Sequence, residues 1–172
     1  EIRPGGGFVG SYANMTISNG RVKDISVDDI YRPDKFLDLN IVPPKQLQGI
    51  TGTWRARDAN WFFNFPDSAK KTIQFIEESS VYEDPGIKFQ GVIAVNLKII
   101  QDFLQVTGPI KVPEYDLILD DKNFLEQVQY QMEAGRDNIP GQNPKKIMKF
   151  ILPKLIEKLN SLNEVEKGIL EK

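Results

Sequence analysis

The 172 residues suffice for one domain with a sizeable core, and 40% hydrophobic with 27% charged residues is the balance of a globular chain. A net charge of -2 argues against a nucleic-acid binder, because there is no basic excess to neutralise phosphates. Cysteine and histidine are both absent, which removes disulfides, thiol nucleophiles, Ser-His-Asp and Cys-His catalysis and the usual zinc sites. Any chemistry falls to Asp, Glu, Arg, Lys, Tyr, Ser and backbone amides, a set better suited to Mg²⁺ and phosphate.

Along the chain, Gly5-Gly-Gly7 leads into Phe8 to Ile17, where Ala13, Met15 and Ile17 alternate with polar residues as in a strand. Asn19-Gly20 is a strong hairpin signal, and Val22, Ile25 and Val27 mark the returning strand, giving a hairpin over 8–28. Residues 31–53 carry Pro33, Pro43-Pro44, Gly49 and Gly52 and read mostly as loop. Asp67-Ser68 reads as the start of a helix running to about residue 80 through Ala69, Ile73, Phe75 and Ile76. Gly91-Val-Ile-Ala-Val95 has the pattern of a buried strand, and Asn96 that of a cap for a helix bearing Leu97, Ile100, Phe103 and Leu104. Gly108-Pro109 ends that helix, and Ile110-Lys-Val112 reads as a short strand. Further helices are expected from Asp120 or Asp121 through Met132 and over 145–160, with Pro153 as a kink or boundary. The fold class is thus α/β, α+β-like: a mixed β-sheet with an N-terminal hairpin and helices packed on it. One domain spans 1–160, and 161–172 form a helical extension.

Four groups of residues could carry chemistry. The glycine run could present amides to an anion, but no Gly-Lys-Ser/Thr follows, and a turn leading into a strand is the plainer reading. Arg55, Arg57, Asp58 and Asn60 lie between Trp54 and Trp61; such a loop could read phosphate or carboxylate, or Asp58 could pair with an arginine and pin it. Trp54, Trp61, Phe62, Phe63 and Phe65 read as core rather than as an apolar groove. Asp24, Asp28 and Asp29 crowd a strand end, where Mg²⁺ or plain solvation is possible, and Arg136-Asp137 reads as surface electrostatics. Lys70-Lys71 and Lys145-Lys146 read as solvated helix faces.

The segments Arg3-Pro-Gly-Gly-Gly-Phe-Val-Gly-Ser-Tyr12, Asn19-Gly20, Arg57-Asp-Ala-Asn-Trp61, Phe65-Pro66, Gly91-Val-Ile-Ala-Val95 and Thr107-Gly-Pro109 together resemble a bacterial domain-of-unknown-function family, number four-zero-one-two. The resemblance covers nearly the whole chain. It implies an extracytoplasmic domain of the cell envelope in a membrane-anchored parent, and it implies no activity. The chain opens on Glu1 inside a motif and reads as a trimmed fragment, with a first strand missing.

More distantly, the order of pieces is similar to the LytR–CpsA–Psr envelope proteins, which transfer glycopolymers from a polyprenyl-pyrophosphate carrier using Mg²⁺, aspartates and arginines. Ser26-Val-Asp-Asp29 stands where that family has Ser-Ile-Pro-Arg-Asp, whose Pro-Arg-Asp is not present here, and Leu119-Asp-Asp-Lys-Asn-Phe-Leu125 resembles its Leu-Asp-Gly-x-x-Ala-Leu helix start. Its arginine pairs are replaced here by Gln129-Tyr-Gln131 and Pro144-Lys-Lys-Ile-Met148.

Three expectations follow. The first is an envelope module without established catalysis that binds a cell-wall glycan, a lipid-linked phosphate such as a polyprenyl phosphate, or a protein. Its ligand candidates are Arg3, Arg55, Arg57, Asp58, Asn60, Trp61 and Arg136. The second is a divergent phosphotransferase, with Arg3, Arg55 or Arg57 holding phosphate and Asp28, Asp29 or Asp58 holding Mg²⁺. The third is a purely structural or assembly domain, expected if the aromatics are buried and the arginines paired.

Overall fold

A computed structural model describes residues 7–139 and 145–170. The chain separates into two compact units, one of Glu1–Tyr12 and Asp28–Ile93, the other of Ala13–Val27 and Ala94–Lys172. Arg3, Gly5 and Gly6, and residues 140–144 between the last two expected helices, lie outside the described residues.

Strands β1 (Ser11–Ser18) and β2 (Arg21–Asp29) form the expected hairpin. Asn19 and Gly20 both take positive φ, 52° and 72°, the backbone a two-residue turn needs to match strand twist. In the first unit, helix α1 (Tyr31–Lys35) follows at once. The connection after it is mostly loop, as its prolines and glycines indicate, with a 3₁₀ turn at Lys45–Leu47. The connection is ordered by buried anchors, Leu37, Pro43 and Leu47, and by the Trp54 amide donating to the Ile41 carbonyl at 2.8 Å.

A second 3₁₀ turn, Ala56–Asp58, precedes helix α2 (Phe65–Glu77) and helix α3 (Ser80–Glu83). Helix α2 begins two residues before the expected Asp67, because Pro66 fits the first turn, where its missing N–H costs nothing. Phe75 and Ile76 of α2 pack with Ile30, Leu37, Trp54, Ala56, Ala59 and Tyr82 to form this unit's core. The Tyr12 and Tyr82 hydroxyls, 2.7 Å apart, tie the start of β1 to it.

In the second unit, helix α4 (Leu97–Thr107) is capped as expected, the Asn96 side chain accepting from the Ile99 amide at 3.1 Å. Gly108, at φ 76°, ends it. Strand β3 (Ile110–Val112) then pairs antiparallel with β4 (Leu117–Leu119), Ile110 opposite Leu119 and Val112 opposite Leu117. Helices α5 (Phe124–Glu133), α6 (Lys146–Ser161) and α7 (Glu164–Leu170) complete the unit. Its core holds Leu104, Val112, Leu119, Phe124, Ile147 and Ile151. Pro153 lies inside α6 without ending it.

Two expectations are corrected. The sheet is not one mixed sheet with helices packed on it; the described residues form two separate two-stranded sheets, β1-β2 and β3-β4. The segment Gly91 to Val95 is not a buried strand: it pairs with no neighbouring strand, and Ile93 and Val95 are 68% and 64% exposed. An apolar run becomes a strand only where a ladder partner lies beside it, so composition alone misleads here.

Asp137 is the buried polar centre of the second unit. It accepts a short hydrogen bond from the Tyr115 hydroxyl and another from the Ile147 amide at 2.6 Å, at the start of α6. Burial, and then the carboxylate, push the Tyr115 hydroxyl up from its ordinary value. The surface reading of Arg136-Asp137 therefore fails for Asp137, which is 3% exposed. Asp137→Ala strands two buried donors and should cost about 2–3 kcal/mol in urea denaturation; a loss below about 0.5 kcal/mol would show that the pair is not buried as described.

Candidate functional site

The loop between the tryptophans is organised by a carboxylate that the sequence did not single out. Asp34, buried on α1, accepts from the Ala56 amide at 2.7 Å and from the Arg57 guanidinium at 3.0 Å. On its other side Arg57 lies 3.6 Å from the carboxylate of Asp58, itself 3% exposed. The Tyr31 ring lies 5.6 Å from the Arg57 guanidinium, and Phe8 packs on Tyr31 at 5.9 Å between centroids. Trp54 is pinned by its indole N–H donating to the Asp58 carbonyl at 3.0 Å, and the Arg57 carbonyl accepts from Val9.

These contacts decide the electrostatics. One guanidinium facing two carboxylates leaves no net positive charge to attract a phosphate. Burial pushes the Asp34 carboxyl above the usual carboxylate range, although Arg57 and the amides of Ala56 and Arg57 pull the other way. The folded state thus holds this proton more tightly than the unfolded chain, so stability from this group falls as pH rises through the folded value.

The other candidates are placed as follows. Arg55 donates to the Leu37 carbonyl, clamping the long loop. Asn60 and Trp61 are half-buried, Trp61 against the first core. Asp28 holds Arg32 at 2.5 Å and accepts from the Asp29 amide, and Asp29 accepts from the Tyr31 amide at 2.9 Å. Both carboxylates thus organise the start of α1. No group of three or more Asp, Glu, His or Cys among the described residues could hold a metal ion. Arg136, in the second unit, donates to the Glu114 carbonyl at 2.7 Å and pairs with Asp116 at 2.9 Å. Arg3 lies outside the described residues.

The aromatics divide differently from the expected core. Trp54 is buried, but Phe62 and Phe65 are exposed and Phe63 is 89% exposed. Fully buried Ser68 produces this arrangement: its hydroxyl accepts from the Phe62 amide and donates to the Phe62 carbonyl, both at 3.0 Å. Beside it Phe62, Asp67, Lys70, Lys71 and Gln74 line an open pocket of about 280 Å³. Lys70 is exposed, as a solvated helix face implies. Lys71 is not a plain solvated lysine: its ammonium lies 5.3 Å from the rings of both Trp54 and Phe75 and bonds Gln74 at 2.7 Å. The available signal was the i, i+4 spacing of Lys71 and Phe75 on a helix beginning at an aromatic run.

Fold and site together define a mixed α+β protein with a part-buried arginine–carboxylate pin and an adjoining aromatic–lysine surface. The chain belongs to the family described as "Protein of unknown function (DUF4012)", which it matches over residues 1–132. No curated protein and no solved structure shows significant similarity to it.

Arg57→Met should destabilise the protein by about 1–3 kcal/mol at neutral pH, less than for a fully buried pair because Arg57 is a quarter exposed. The loss should shrink as pH falls through the Asp34 value, since a neutral carboxyl needs no cation. Urea titrations at several pH values check this; a pH-independent loss would contradict the pairing.

Proposed function

We propose that this chain is a non-catalytic, extracytoplasmic recognition domain of the bacterial cell envelope that binds a lipid-linked phosphate at the pocket of Phe62, Asp67, Lys70, Lys71 and Gln74. One observation carries the reading: exposed Lys70, the Lys71 ammonium held over Trp54 and Phe75, and exposed Phe62 line that pocket, while Arg55, Arg57 and Arg136 are each committed within the fold. A lysine ammonium serves as a point charge for phosphate, and the aromatic ring offers an apolar surface to an isoprenoid chain. Asp67 opposes the cations and limits the affinity for a bare anion, so the apolar part must contribute.

The envelope placement, the membrane-anchored parent and the likeness to the LytR–CpsA–Psr proteins belong to this proposal. A phosphotransferase is disfavoured because Arg57 is spent on two carboxylates. The same sealing favours a second reading, a structural or assembly domain, for the loop from Trp54 to Trp61.

Geranyl phosphate, a water-soluble isoprenyl phosphate, tests the reading by thermal shift, with geraniol and inorganic phosphate as controls. At about 100-fold excess over Kd the melting temperature should rise by about 5–10 °C, and by clearly less with either control. Lys70→Gln should reduce the shift. No shift with geranyl phosphate would contradict binding at this pocket.

A further inference from the structure

We infer that the Phe62–Phe65 turn is a membrane-contacting wedge that seats the first unit on an anionic bilayer surface, with Phe63 entering the boundary between headgroups and acyl chains and Lys70 facing the phosphates. The inference deepens the proposed function, since a lipid-linked phosphate stands in a bilayer, and it rests on that reading for its biological sense, though not for its geometry.

Three observations point the same way. The first is the exposure of Phe63, 89%, with Phe62 and Phe65 exposed on either side of Asn64. Three large rings within four residues at one turn are unlike the singly scattered apolar residues of an ordinary surface. The second is rigidity. Ser68 binds both backbone polar groups of Phe62, Asn64 starts α2, and Phe62 packs on buried Trp54 at 6.2 Å between centroids. The turn is therefore held with Phe63 outward and pays little ordering entropy on docking.

The third is charge. Exposed Lys70 of α2 complements anionic headgroups, and the Lys71 ammonium, held over Trp54 and Phe75, adds positive charge behind it, with Asp67 opposing them in the pocket lining. No helix among the described residues is long and apolar enough to cross a membrane. The contact proposed is a peripheral one: an aromatic tip beside the lysines of α2, whose attraction to anionic lipid adds to the burial of a ring.

Co-sedimentation with vesicles tests this, using the protein with neutral phosphatidylcholine alone and with added anionic phosphatidylglycerol. Binding should be much stronger to the mixed vesicles and should weaken with salt. Phe63→Ser should lower the affinity by roughly tenfold, the value expected for leaving one aromatic ring in water. Because Phe63 makes no core contact, the variant should keep the melting temperature of the wild type. Phe63→Trp should retain binding and shift its emission to the blue on mixed vesicles. Lys70→Glu should weaken binding to mixed vesicles and leave the residual binding to neutral ones unchanged.

Absence of vesicle binding by the wild type, or wild-type affinity in Phe63→Ser, would overturn the wedge. Geranyl phosphate binding with no vesicle binding would leave the pocket standing and remove the wedge. Vesicle binding lost in Phe63→Ser, without any geranyl phosphate shift, would keep the wedge and remove the pocket's ligand.

Discussion

Asp34 is the constraint on which the first unit turns. A carboxylate taken out of water must find donors, and Asp34 finds them in the Ala56 amide and the Arg57 guanidinium. That choice fixes where the loop from Trp54 onward meets α1. The 3₁₀ turn at Ala56–Asp58 then places the Asp58 carbonyl to accept from Trp54, and Trp54 becomes the floor on which Phe62, Phe75 and the Lys71 ammonium pack. Removing the carboxylate would leave Ala56 without its partner and Arg57 facing Asp58 alone.

This arrangement separates two roles that the sequence runs together. Arg57 and Asp58 are consumed in holding the loop, and Arg55 in holding the connection after α1. The surface they support is built from less distinctive residues: a buried serine, a lysine held over two rings, and phenylalanines that the fold leaves in water. In the proposed function, ligand contact falls on the supported surface, and the signature segment acts through position. Asp137 does the corresponding work in the second unit, joining Tyr115 to the start of α6 beside the ring contact of Tyr115 with Phe150.

What was legible in the sequence was local. Asn19-Gly20 specifies its turn through two positive φ angles, Asn96 caps α4 with its own side chain, and the apolar periodicities of α4, α5 and α6 each lie within one helix. What failed depended on which groups meet in the fold, near or far in the chain. Gly91 to Val95 has the composition of a strand but no strand pairing, while Leu117–Leu119 gained strand character by pairing with Ile110–Val112 across a turn containing left-handed Asp116. Asp34 reads as one more polar residue of an expected loop until Ala56 and Arg57 arrive from more than twenty positions away. The exposure of Phe63 was hidden for the same reason: an aromatic run reads as core unless the position of Ser68 is known.

In the proposed function the arginine–carboxylate cluster supports the surface and the surface makes the contact. Amide hydrogen exchange with and without geranyl phosphate measures this directly. The account predicts added protection over residues 61–74, with the amides of residues 31–36 and 55–58 unchanged. Protection centred on Arg55 to Asn60, with none over 61–74, would contradict it and return the arginines to the role of ligand readers.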